Sequence, residues 1–110
     1  MRKQENKVLK ATPINRMFLQ FEEIAEKHGY EIYEDPDGHW YIVNDRKAWA
    51  ARSEDVYDGT PFCGFDYDPE EDEFNGMIWG KIPDEQEKCY REICKAIKDE
   101  LGVTVYTDIF

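Results

Sequence analysis

Residues 54–75 read EDVYDGTPFCGFDYDPEEDEFN, and their charge limits what the chain around them can build. The stretch holds nine carboxylates, Glu54, Asp55, Asp58, Asp66, Asp68, Glu70, Glu71, Asp72 and Glu73, with no Lys, Arg or His among them. Ionised groups without partners stay in water, because burying one costs several kcal/mol even after the protein relaxes. These residues therefore belong to turns and to the wet side of strands, and most of the core has to come from other parts of the chain. Tyr57, Phe62, Phe65, Tyr67 and Phe74 are interleaved with the acids. That much aromatic surface beside that much like charge needs a fold or a partner to hold it.

Two helical stripes supply the core. Thr12-Pro13 has the form of a helix start, Thr as cap and Pro at the first helical position. Met17, Phe18, Phe21, Ile24, Ala25 and His28 then fall on one face, and Gly29 suits the residue after the last turn. The first helix is expected over 13–28, with His28 placed to complement the negative end of its dipole. The second opens at Pro83 with Asp84, Glu85 and Glu87 in its first turn, where acids are favourable. Its stripe is Tyr90, Ile93, Cys94, Ile97 and Leu101, and Gly102 ends it.

The strands come from shorter signals. Residues 30–34 and 39–44 flank Asp35-Pro36-Asp37-Gly38, with Pro at i+1 and Gly at the left-handed position of a type I turn closed by a bulge, a β-hairpin. Alternation puts Tyr30, Ile32 and Glu34 on one face of the first strand, Glu31 and Tyr33 on the other. Asp45-Arg46-Lys47 turns the chain, and residues 47–53 (KAWAARS) fit either a strand or a short helical turn. Residues 61–67 and 73–82 form two further strands around an acidic turn at 68–72. Gly76 and Gly80 in the later strand suggest bulges or close backbone approach. Residues 103–110 (VTVYTDIF) alternate as a final strand with Val103, Val105 and Ile109 on one face. The expected fold is α+β, a mostly antiparallel sheet of four to five strands with two helices packed on one face, in the order α-β-β-(β)-β-β-α-β. At 110 residues the chain forms one domain over 12–110, preceded by a loose basic N-terminus over 1–11.

The residues offer little chemistry. Asp66-x-Asp68-x-Glu70 imitates the start of a calcium loop but has Glu71 where that loop needs Gly and Met77 where it needs Glu. Cys63, Cys89 and Cys94 have no zinc spacing, and Cys89 and Cys94 sit about 140° apart round a helix. The acids near Cys63 disfavour its thiolate. There is no P-loop, dinucleotide fingerprint or nucleophile elbow. No catalytic residue, metal ligand or cofactor is expected, and the protein does not read as an enzyme. No apolar run exceeds four residues, so no membrane span is expected. The start lacks a secretory signal and the cysteines are odd in number, which points to a reducing, cytoplasmic setting, that of a bacterial host if the gene is phage-borne.

Charge indicates the partner. The net charge is −11, and residues 31–87 hold 17 acids against four bases. A duplex would be repelled, so direct nucleic-acid binding is not expected. Proteins that bind nucleic acid would instead be attracted by the same long-range field. In size, net acidity and its carboxylate-dense middle the chain resembles the DNA-mimic inhibitors of phages and mobile elements, the anti-CRISPR and anti-restriction proteins. That resemblance, which is one of property and not of aligned motif, implies an inhibitor that occupies the nucleic-acid groove of an effector or nuclease. The expected contact residues are Asp55, Asp58, Asp66, Tyr67, Asp68, Glu70, Glu71, Asp72, Glu73 and Phe74, with Trp79 and Tyr57 as further aromatic anchors. The alternative is a toxin-neutralising immunity-type or other acidic protein-interaction module, in which the aromatics matter more than the charge. The last strand leaves a homodimer open.

Overall fold

The computed structural model describes residues 13–51 and 59–110. The elements are α1 (Pro13–Arg16), α2 (Phe18–Lys27), β1 (Glu31–Glu34), β2 (Trp40–Val43), α3 (Arg46–Ala50), β3 (Phe62–Asp68), β4 (Glu73–Trp79), α4 (Asp84–Leu101) and β5 (Tyr106–Ile109). The five strands form one sheet in chain order, antiparallel from β1 to β4, with β5 parallel to β4. The fold is thus α+β on a mixed sheet. A parallel pair needs a crossover, and α4 provides it, returning the chain along the sheet before β5 begins.

Strand alternation divides the sheet into two unlike faces. Register sets Ile32 against Ile42, Ile42 against Cys63, Cys63 against Ile78, and Trp40 against Phe65. All of these are buried, packed with Phe21, Ile24 and Ala25 of α2 and Cys89, Tyr90, Ile93 and Ile97 of α4. The two long helices share this face. The opposite face carries Tyr33, Tyr41, Phe62, Trp79 and Phe110 as a row of ring contacts with centroids 4.7–6.3 Å apart, and Trp49 of α3 reaches Tyr41 and Phe62.

Several expectations are met locally. The first hairpin closes as read: Gly38 donates its N–H to Asp35 (3.1 Å), Asp35 donates to His39 (2.9 Å), and Gly38 has φ +89°. Gly76 marks a close approach, since a Cβ there would lie 1.9 Å from the Tyr90 hydroxyl; β3–β4 register runs through it unbroken, so it is not a bulge. Residues 46–50, carried as an optional strand in the expected order and left open between strand and helix, are a helix capped by Asp45, whose carboxylate accepts from the N–H groups of Lys47 (3.0 Å) and Ala48 (3.2 Å).

Others are revised. The first helix is two helices, interrupted at Met17 (φ −100°, ψ 7°), which tucks its side chain into the core. The cap expected at Thr12 and the loose segment 1–11 lie outside the described residues. The last strand starts at Tyr106, with Val103 and Val105 ahead of it half-buried against the core. The buried side of α4 is centred on Gln86, Cys89, Tyr90, Ile93 and Ile97, while Cys94 and Leu101 are half-buried at its margin. Gln86 is buried because its amide donates to the Ile42 carbonyl at 2.8 Å.

Candidate protein-binding site

The acidic turn is built by its own side chains. Asp68 accepts from the N–H groups of Glu70 (2.9 Å) and Glu71 (3.4 Å), folding the chain back after Pro69. Asp72 takes φ +54°, a conformation Asp tolerates better than most residues, and the Tyr67 hydroxyl donates to its carboxylate. Pairing resumes at once, Asp68 against Glu73, Tyr67 against Phe74 and Asp66 against Asn75. Asp66 and Asp68 therefore point to the helix-free face, roughly 6.6 Å apart along the strand. Glu70, Glu71, Asp72 and Glu73 are exposed around the tip.

Antiparallel pairing brings a second acidic turn to the same end. Trp40 stands opposite Phe65, so the β1–β2 turn lies beside the last residues of β3. His39 links the two turns, its Nδ1 3.2 Å from Asp35 and its Nε2 3.8 Å from Asp66. Asp35 and Asp37 thus join Asp66, Asp68, Glu70, Glu71, Asp72 and Glu73 on one rim of the sheet. Among the described residues, eight carboxylates share that rim with His39, and the field of Arg16 reaches Tyr67 beside Asp72. The sequence reading missed Asp35, Asp37 and His39 as part of the surface. Their signal was the hairpin itself, but the hairpin does not say which strand end it will stand beside.

Burial and like charge act on the rim. Partial burial raises the carboxyl of Asp66 above the usual range, only partly offset by His39 and by a hydrogen bond from Asn75. Burial and the neighbouring Asp35 raise Glu34 as well. Burial, with Asp35 beside it, pushes the Tyr41 phenol up to about 12. Asp35, Asp37 and His39 hold ligand-type atoms within 4.8 Å of one another. The contacts Asp35 already makes explain that closeness. One of its oxygens accepts from the N–H groups of Asp37 and His39 (both 2.9 Å), and the other from the Tyr41 hydroxyl (3.4 Å).

The aromatic members of the expected site fare differently. Phe74 is 3% exposed and belongs to the core, so it cannot present its ring to a partner and leaves the contact set. Tyr67 is half-buried, its ring tilted against Phe74 with centroids 4.9 Å apart and its hydroxyl committed to Asp72. Trp79 lies at the other end of β4, about 20 Å along the strand from Glu73, against Phe62 and Phe110. Asp55, Asp58 and Tyr57 lie outside the described residues.

Neither the thiols nor the helices suggest another site. Cys63 is fully buried, and burial pushes its thiol up; burial likewise raises Cys89 to about 12 and Cys94 to about 11. All three are poor nucleophiles in this state. Among the described residues no helix is long and apolar enough to cross a membrane. Comparison of this chain with protein-family models, with curated proteins and with solved structures finds no match in any of the three.

Proposed function

We propose that the protein is a non-enzymatic, acidic inhibitor that binds a basic partner through the rim formed by its two hairpin turns, the preferred partner being a nucleic-acid-binding effector or nuclease. One observation carries this reading: carboxylates 31 residues apart in the chain, Asp35 and Asp66, are gathered on one rim with His39 between them. Such a rim concentrates negative potential where a cationic groove can meet it. Asp66 adds support, since its raised carboxyl means that the fold carries its negative charge at a cost; charge kept at such a position suits contact better than stability. Among the described residues, the burial of Phe74 and the internal engagement of Tyr67 leave the tip no free aromatic anchor, which favours charge-led mimicry over the immunity-type alternative.

The test is binding and inhibition against a panel of restriction nucleases and RNA-guided effectors. Duplex DNA or guide RNA should compete with the protein, and binding should weaken steeply between about 0.1 and 1 M salt, where the screening length falls from ~10 to ~3 Å. Reversal of Glu70, Glu71, Asp72 and Glu73 to Lys should slow association by on the order of tenfold or more, the range over which steering acts. Inhibition that persists unchanged after the reversal, or in molar salt, would sink the reading.

A further inference from the structure

We propose that the outer edge of β5 is a self-association surface, on which two copies of this chain pair antiparallel about a two-fold axis into a continuous ten-stranded sheet. The two edges of the sheet are unlike. The β1 edge carries Glu31 and Glu34, and α3 packs beside it, features that discourage pairing. The β5 edge, YTDI, has one charge, no Pro and no Lys, and three of the large apolar side chains most exposed on the described surface lie at it: Tyr106 (64%), Ile109 (72%) and Phe110 (61%).

The backbone of β5 is already oriented for a second strand. Phe110 donates its N–H to Ile78 (2.9 Å) and accepts from Gly80 (3.1 Å), so its polar groups face β4. Alternation then turns the N–H and C=O groups of Thr107 and Ile109 outward, where the described residues supply no strand to meet them.

Charge selects both the occupant and the register. A two-fold axis normal to the sheet keeps the two helix-covered faces on one side, so only residues sharing a face can stand opposite one another. The two registers with the longest overlap are centred on Asp108 or on Thr107. The first sets Asp108 directly against the partner's Asp108, a like-charge pair that destabilises a sheet. The second sets Thr107 against the partner's Thr107, exchanging two backbone hydrogen bonds. It also puts Tyr106 opposite the partner's Asp108 and covers Ile109 with the partner's Val105. Antiparallel pairing also sends the two acidic rims to opposite ends of the assembly, because β5 begins near the rim and runs away from it. A chain of net charge −11 repels its own copy least where its charge is sparse, and β5 holds a single acid.

The test is sedimentation of the full chain across a concentration series, with Ile109→Lys as the blocking variant. Its side chain is exposed, so the fold should tolerate it, and an unchanged circular dichroism spectrum checks that. The wild type should sediment at twice the 13.1 kDa of one chain, and Ile109→Lys as a monomer. A wild type that stays monomeric up to about 1 mM, the weak limit of specific association, overturns the proposal. A dimer that survives Ile109→Lys does the same. Register is read by mild oxidation. Thr107→Cys should give a covalent dimer and Asp108→Cys should not; the reverse outcome overturns the Thr107-centred pairing. Neither result depends on whether the acidic rim binds a nuclease.

Discussion

At the scale of single residues, His28 connects the two helices of the buried face. Its Nε2 lies 2.8 Å from Glu92, and its Nδ1 contacts Glu85, both on α4. Hydrogen bonding to Glu92 and then to Glu85 raises the imidazole pKa above 6.5, and the same contacts lower both carboxyls below 4.5. A raised histidine contributes stability that is fully present below its unfolded pKa and is lost as pH rises through its folded one. The lowered carboxyls contribute above about 4.5 and lose it as pH falls through their folded values. The cluster should therefore hold α2 to α4 best between about pH 4.5 and 6.5. His28→Gln is expected to lower the urea midpoint markedly near pH 5.5 and little near pH 9; an equal loss at both would refute a charged role. The helical spacing that placed His28 on the first stripe was legible in the sequence. Its partners, 57 and 64 residues away, were not.

At the scale of elements, β4 and α4 lock together at one point. Gly76 leaves room for Tyr90, whose ring lies 4.7 Å from Phe65 and whose hydroxyl pairs with Thr107 on β5 at 2.8 Å. Gly76→Ala would put a methyl carbon where the Tyr90 hydroxyl now sits, and overpacking of this kind costs about 1–3 kcal/mol. A chemical melt should show that loss, and pairing it with Tyr90→Phe should return part of it by removing the clashing oxygen. If the double variant is no more stable than Gly76→Ala alone, the contact is not the cause. Gly inside a strand pattern announced a close approach, but only the path of α4 decides what approaches. Similarly, KAWAARS suited strand or helix equally. Asp45, beside Glu31 and the end of β2, caps the helical choice for residues 46–50.

At the scale of the whole molecule, apolar burial and charge are kept apart. The helix-covered face holds the core, and the acids crowd the rim around Asp35 and Asp68, so compaction brings like charges together. Added NaCl should therefore raise the unfolding midpoint between about 0.02 and 0.5 M as the screening length shrinks. Neutralising Glu70–Glu73 with Gln should flatten that dependence. A midpoint indifferent to salt in the unaltered protein would show that the rim is not under electrostatic strain.

Apart from residues 46–50 and the break at Met17, the sequence by itself determined the order of helices and strands, because two helical stripes, an Asp-Pro-Asp-Gly turn and alternating apolar strands each carry a local physical signature. It also determined that residues 66–73 lie on the surface, since so many unpaired carboxylates cannot be buried. Only the tertiary structure decided which residues share that surface. Asp35 and Asp37 reach it because antiparallel register sets one hairpin turn beside the other, and Phe74 leaves it because strand alternation turns its ring into the core. Register is a property of paired strands, settled by what the two faces bury against the helices, and no local stretch of sequence contains it.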